Sequence, residues 1–141
     1  MLTRSEILFT CRNAARGAGY DWGMSGEAAR ATLKLLDAGE DGFAALIELL
    51  RGAQGQSHPM NIADGLPICG LSLGVYLADC GDCPKILPKD VIAPLILRAC
   101  IEDMPKGAAR PDYFPQEILD FAKQALVPES ELSRRHGAGE G

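Results

Sequence analysis

The segment 16–23 constrains the fold more than any other part of this sequence, because it joins two amphipathic stretches. It consists of Arg-Gly-Ala-Gly-Tyr-Asp-Trp-Gly and holds three glycines, the only tryptophan and one of the three tyrosines. Glycine permits a positive φ and a close approach of backbones, whereas Tyr20 and Trp22 contribute large apolar surfaces with polar tips. The segment therefore predicts a tight corner between two helices, and it is a candidate wall of a binding site.

The stretch before this corner has a helical pattern. Thr3 and Glu6 form a T-x-x-E capping box, which predicts a helix N-terminus. Gly17 and Gly19 are expected to end the helix. Its apolar residues fall on one helical face: Ile7, Leu8, Cys11, Ala14, Ala15 and Ala18.

Two more helices are predicted after the corner. The second begins at Ser25, a good N-cap, and ends at Gly39. The third covers residues 41–51 and is stopped by Gly52. Their apolar stripes are Ala28, Ala31, Thr32, Leu35 and Leu36 in the second helix and Phe43, Leu46, Ile47 and Leu50 in the third. The short gap between them predicts an antiparallel pair.

The rest of the chain is less regular. Segments 67–79 and 91–104 fit either a buried helix or a strand, and we favour helices because Pro67 and Pro94 suit a first helical turn. Residues 116–126 have a clear helical period, whereas 52–66, 80–88 and 105–115 have the composition of loops.

These patterns predict a mainly α protein with one compact domain over residues 1–127 and an N-terminal three-helix unit. The alternative is an α+β fold with a small sheet formed by residues 69–77 and 91–101. Residues 128–141 turn polar and glycine-rich, which is typical of a flexible C-terminal tail. A chain of 141 residues can bury a core without disulfides or metals.

Composition excludes several classes of protein. The net charge of −5 disfavours a general nucleic-acid binder. No stretch has the length of a membrane helix, and the first residues do not resemble a secretion signal. Five cysteines, an odd number, fit reduced thiols better than a disulfide framework. We therefore expect a cytoplasmic protein that binds neither nucleic acid nor membranes.

The corner is a candidate ligand site. Backbone amides before a helix N-terminus could hold an anion, Arg16 could add a positive charge, and Tyr20 or Trp22 could stack on a ring. The spacing G-x-G-x-x-x-G is not the dinucleotide fingerprint, and a helix precedes it where that motif needs a strand. The opposing interpretation is structural, with Trp22 filling the core, in which case Trp22→Ala should unfold the domain. The candidate ligand-binding residues are Arg16, Gly17, Gly19, Tyr20, Trp22 and His58.

The cysteines suggest a metal or redox site. Cys80 and Cys83 form a C-x-x-C pair, and Cys69, Cys100 and His58 could complete a tetrahedral zinc site. A thioredoxin-like redox role is a further possibility. The alternative is that these thiols pack as small apolar side chains, as we expect for Cys11 and Cys100.

His58 is the only histidine outside the tail and thus the only ordinary base near neutral pH. The adjacent Ser57 does not make a catalytic triad, because sequence neighbours rarely form the nucleophile–base contact. A solvent-facing loop histidine is the simpler interpretation. No catalytic residue is assigned from the sequence.

The segment 13–31 resembles the opening of an uncharacterised family of bacterial proteins, classed as a domain of unknown function. The resemblance is carried by an A-x-G-A-G-x-x-W-G pattern at residues 15–23 and by the later segment 67–79. It covers about the first 80 residues and does not include the C-x-x-C pair. It implies a bacterial cytoplasmic protein and brings no known activity, cofactor or catalytic residue.

Three functions remain open at this point. The first is a small-molecule-binding domain or accessory enzyme subunit, with an anionic metabolite held near the corner. The second is a non-catalytic module for protein interaction or oligomerisation, whose alanine-rich helix faces suit close pairing with a second copy or a partner subunit. The third is a small zinc or redox protein that uses Cys80 and Cys83.

Overall fold

The computed structural model describes residues 1–53, 68–81 and 91–126, and this part of the chain forms six helices. One pair of two-residue strands accompanies them. The elements in chain order are α1 (Arg4–Ala18), α2 (Trp22–Asp37), α3 (Gly42–Ala53), β1 (Ile68–Cys69), α4 (Gly70–Cys80), β2 (Val91–Ile92), α5 (Pro94–Ile101) and α6 (Gln116–Leu126). The predicted C-terminal tail lies outside the described residues.

The prediction of a mainly α fold is confirmed, and the N-terminal helices pack together. The strand alternative is wrong for most of its length, because residues 70–77 belong to α4 and 94–101 form α5. What remains of a sheet is a parallel ladder of two residue pairs, Ile68 with Val91 and Cys69 with Ile92.

The first helix begins where its capping box predicts. The Glu6 amide donates to Thr3 Oγ1 over 3.1 Å, and the Thr3 amide donates to Glu6 Oε1 over 3.0 Å. Gly19 ends the helix with a φ of 116°, which L residues with side chains rarely adopt. The expectation that Gly17 also ends α1 is wrong, because Gly17 is helical.

Two other predicted ends are corrected. The N-cap of α2 is Asp21, four residues before Ser25, and the Asp21 carboxylate accepts from the Met24 amide over 2.8 Å. Ser25 instead lies buried in the first turn. Gly52 does not stop α3, which continues to Ala53. Gly39 follows α2 with a φ of 84°, as predicted for a C-terminal glycine.

One apolar core connects all six helices of the described part of the chain. α1 lies between α2 and α6, and α4 packs mainly on α5. The largest side chains with almost no exposure are Ile7, Leu35, Leu46, Leu49, Leu50, Leu71, Ile96, Leu97 and Ile118. The core therefore runs from the first helix to the last.

Two glycines of α4, Gly70 and Gly74, allow this helix to approach α5 and the residues just before it closely. A Cβ on Gly74 would lie 2.7 Å from the Cβ of Cys100, and one on Gly70 would lie 2.5 Å from the carbonyl oxygen of Ile92. The two glycines are four residues apart and so share one helical face. The segment can form a buried helix despite its glycines, because this glycine face packs closely against residues 92–100.

Within residues 1–53, 68–81 and 91–126, no helix combines the length and the apolar character needed to cross a membrane.

Candidate functional site

Tyr20 forms the inner side of the corner between α1 and α2. Its side chain is only 2% exposed, and its hydroxyl lies 3.3 Å from Cys69 Sγ at the start of α4. The Tyr20 carbonyl accepts from Arg16 Nη1 over 3.1 Å and from Ser25 Oγ over 3.4 Å. Burial raises the pKa of the Tyr20 phenol, so the hydroxyl stays neutral. Tyr20 is therefore a core residue that fixes the corner.

Trp22 lies on the outer side of the corner. The expectation that it fills the core is wrong, because 58% of this residue is exposed. Two guanidinium groups lie over its ring, with Arg16 Cζ at 4.6 Å and Arg12 Cζ at 5.5 Å from the ring centroid. Both distances lie within the range of a cation–π contact. The ring is thus held by charged side chains on the surface.

Gly17 has a structural role at the crossing of α1 and α6. A Cβ at this position would lie 1.8 Å from the carbonyl oxygen of Phe121 and 3.2 Å from the amide nitrogen of Ala125. No side chain fits in this space, so Gly17 sets how closely the two helices approach. The structure gives a packing reason for this glycine.

The backbone amides of the corner are largely engaged within the protein. The Gly19 amide donates to the Arg16 carbonyl, the Tyr20 amide to the Ala15 carbonyl, and the Met24 amide to the Asp21 carboxylate. The Asp21 carboxylate also occupies the end of α2 where a bound anion would be expected. Few backbone amides are therefore left to bind an anion at the corner, and the Asp21 carboxylate would repel it.

The outer side of the corner continues along α1. Phe9 is 56% exposed and lies seven residues before Arg16, which places both on nearly the same face of the helix. The rise of an α-helix separates the two backbones by about 10 Å along the axis. We call Phe9, Arg12, Arg16 and Trp22 together the arginine–tryptophan surface.

The structure separates two of the three proposed metal ligands. Cys69 precedes the first residue of α4 and Cys80 is its last, so the continuous helix holds them about 16 Å apart. One ion cannot contact both thiols, since zinc–sulfur bonds are about 2.3 Å long. Cys83 and His58 lie outside the described residues. The pairing of Cys80 with Cys83 therefore stays a prediction.

The other thiols have distinct surroundings. Burial raises the pKa of Cys11 to about 12 and that of Cys100 to about 11, so both remain protonated at neutral pH. Cys80 is exposed, and its contact with the Tyr76 hydroxyl raises the pKa of that tyrosine. Among the described residues, no three His, Cys, Asp or Glu side chains form a cluster that could hold a metal ion.

The sequence interpretation missed Arg12 and Phe9 as members of the surface. The sequence feature that could have identified them is their spacing. Phe9, Arg12 and Arg16 follow one another at intervals of three and four residues, on the side of α1 away from its apolar face. A large aromatic residue on the polar face of an amphipathic helix could have marked this surface before the structure was known.

The sequence was compared with known families, proteins and structures. Residues 2–80 match a family described as "Protein of unknown function (DUF3726)", and because this match covers more than half of the 141 residues, the chain belongs to that family. The match includes the arginine–tryptophan surface and ends before Cys83. Neither a curated protein nor a solved structure matches the chain.

Proposed function

We propose that this family member is a protein-interaction module that binds a partner protein at the arginine–tryptophan surface. The observation that carries the proposal is the exposed indole of Trp22, which two guanidinium groups hold on the surface. Tryptophan and arginine are among the residues that contribute most binding energy at protein interfaces. Leaving an aromatic ring this exposed has a functional explanation if a partner covers it.

The surface is fixed in position before any partner arrives. Arg16 contacts both the Trp22 ring and the Tyr20 carbonyl, so the outer side of the corner is tied to the buried inner side. Ser25 donates to the same carbonyl from the first turn of α2. A surface held by packed and hydrogen-bonded neighbours loses little conformational entropy when it binds.

The exposure of the two aromatic side chains favours a protein over a small molecule. Small-molecule sites usually enclose 70–90% of the ligand surface in a concave cavity. Trp22 and Phe9 are each more than half exposed, so a metabolite placed on them would remain largely in water. An anionic metabolite held by the arginines is the second candidate, since guanidinium groups bind carboxylates and phosphates.

The proposal also includes location and assembly. We place the protein in the bacterial cytoplasm, supported by the resemblance of residues 13–31 and by the odd number of cysteines. A second copy of the chain is one form that the partner can take. A zinc or redox function of Cys80 and Cys83 would be a separate activity, and the proposed interaction does not depend on it.

Photocrosslinking in the native host tests the proposal. A benzoylphenylalanine replaces Phe9, and the matched control carries it in place of Tyr76, another aromatic residue that is 52% exposed. We expect a defined adduct from position 9 that disappears when Trp22→Ala is added, and no such adduct from position 76. An adduct with a second copy of the chain would support the oligomeric form.

Two outcomes would contradict the proposal. One is the absence of any adduct from position 9, and the other is an adduct whose yield does not depend on Trp22. The second candidate has its own readout, because Trp22 is the only tryptophan and its fluorescence reports ligands that stack on it. A metabolite that quenches this emission in the absence of adducts would replace the proposed function.

A further inference from the structure

We infer that the partner presents a short extended segment in which a carboxylate side chain and an apolar side chain are two residues apart. The inference rests on the proposed function and names the chemistry of the partner. The carboxylate binds at the guanidinium group of Arg12 beside Trp22, and the apolar side chain packs on Phe9. Charge, exposure and spacing on α1 each support one part of this inference.

The charge of the surface is opposite to that of the protein. The chain carries a net charge of −5, but α1 holds three arginines and a single acidic residue, Glu6. The Glu6 carboxylate already accepts from the Thr3 amide in the capping box, at the far end of the helix from Trp22. The exposed Asp21 next to Trp22 is engaged as the N-cap of α2, where its carboxylate accepts from the Met24 amide. Two arginines against this one carboxylate leave the surface positive, so that it favours an acidic segment over a basic one.

Arg12 has the geometry to bind the carboxylate. It is exposed, and its guanidinium group lies 5.5 Å from the centroid of the Trp22 ring. Within residues 1–53, 68–81 and 91–126, no carboxylate forms an ion pair with Arg12. A guanidinium group held over a ring can still donate from its edge to both oxygens of a carboxylate. Arg16 acts as a positioning residue, because it donates to the Tyr20 carbonyl and holds the ring.

The spacing follows from the helix. Phe9 and Arg12 are three residues apart, so their backbones are separated by about 4.5 Å along the axis of α1. Side chains two residues apart in an extended peptide lie on the same face, about 6.6 Å from each other. Such a segment laid along α1 can therefore place its carboxylate at Arg12 while its apolar side chain contacts Phe9.

Selection from a random peptide display library on the immobilised full chain tests the inference. We expect enriched peptides to carry Asp or Glu two residues from a large apolar side chain. A synthetic peptide of the enriched sequence should lose about tenfold in affinity with Arg12→Gln and with Phe9→Ser, measured by isothermal titration. Arg4→Gln, at an exposed arginine near the other end of α1, is the matched control and should change affinity less than twofold.

Two further measurements separate recognition from folding. Far-UV circular dichroism must show that each variant has the helix content of the parent chain. Arg12→Lys keeps the charge but loses the two-pronged donor, so it should recover only part of the affinity. Binding should also weaken as salt is raised, because the contact is exposed.

The results can overturn this inference without overturning the proposed function. Enriched peptides without an acidic residue, no enrichment at all, or an affinity unchanged by Arg12→Gln would each contradict the partner chemistry. If the adduct from position 9 still depends on Trp22 in that case, the interaction surface stands and only its partner is misidentified. If the adduct is also missing, both fail.

Discussion

Tyr20 and Trp22 are two residues apart in the same corner, yet their surroundings are opposite. Tyr20 is 2% exposed and contacts Cys69, immediately before α4, whereas Trp22 is 58% exposed and lies beneath two arginine side chains of α1. We expect the inner side of the corner to stabilise the fold and the outer side to contribute little to it, and this difference is what suggests a function.

Two glycines of the corner have structural roles. Gly17 permits the crossing of α1 and α6, and Gly19 provides the left-handed residue that ends α1. Substitutions can therefore test the structural residues of the corner separately from the exposed Trp22.

The largest expected effect comes from Tyr20→Ala. Removing a buried aromatic ring should lower the free energy of unfolding by about 3–5 kcal/mol. Tyr20→Phe keeps the ring and loses the hydroxyl with its contact to Cys69 Sγ, so it should cost about 1 kcal/mol. Urea unfolding followed by far-UV circular dichroism measures both. A loss below about 1 kcal/mol for Tyr20→Ala would contradict the structural role of the inner side.

Gly17→Ala should have the next largest effect. Helix propensity alone favours alanine by about 1 kcal/mol, but the added Cβ would overlap the Phe121 carbonyl, and overpacking costs about 1–3 kcal/mol or more. We therefore expect net destabilisation. The matched control is Gly23→Ala, where the nearest atom would lie 3.6 Å away, so stability should stay equal or rise. Equal effects of the two substitutions in the same urea experiment would refute the close crossing.

Gly19→Ala isolates the backbone conformation of the corner. Among the described residues, apart from its two chain neighbours, no atom would lie within 4 Å of an added Cβ, so the positive φ of 116° is what opposes the substitution. We expect a loss of about 1–2 kcal/mol. Gly19→Asn should lose less, because asparagine tolerates the left-handed region better than alanine. Thermal unfolding of both variants checks this order, and an alanine variant as stable as the parent would remove the strain argument.

A smaller effect is expected from the exposed ion pair that links α3 to α6. Arg51 donates to both carboxylate oxygens of Glu117, each over 2.6 Å, and these hydrogen bonds lower the pKa of Glu117. The stabilising contribution of this ion pair is therefore fully present above pH 4.5, the ordinary pKa of a glutamate. It is lost as the pH falls through the lowered pKa of Glu117. Glu117→Gln should flatten the acid side of the stability–pH profile, whereas an unchanged profile would show that the pair contributes nothing.

The sequence was sufficient to predict α1, α2, α3 and α6 because each has local signals, whereas the segments of α4 and α5 also fitted strands. The capping box, the apolar periods and the terminal glycines act within a few residues, and the helical preference for 67–79 and 91–104 was correct for α4 and α5. The start of α2 was misplaced because Asp21 and Ser25 are both good N-caps. Only the structure shows that Ser25 Oγ points inward to the Tyr20 carbonyl.

The candidate site was less predictable because a corner has no period. Which of Tyr20 and Trp22 faces the core depends on the direction in which α2 leaves the corner, and that direction is set by packing between distant segments. Gly17 likewise depends on α6, about a hundred residues later in the chain. By contrast, Phe9 and Arg12 could have been recognised from their helical spacing alone.

The measurement that tests the central claim most directly is the unfolding of Trp22→Ala beside its photocrosslinking. Because the ring is exposed and two guanidinium groups on the surface hold it, we expect the free energy of unfolding, measured by circular dichroism, to change by less than about 1 kcal/mol. The same substitution should abolish the adduct from position 9. A loss of several kcal/mol would show that Trp22 is structural after all, and an unchanged adduct would show that the outer side of the corner is not where the partner binds.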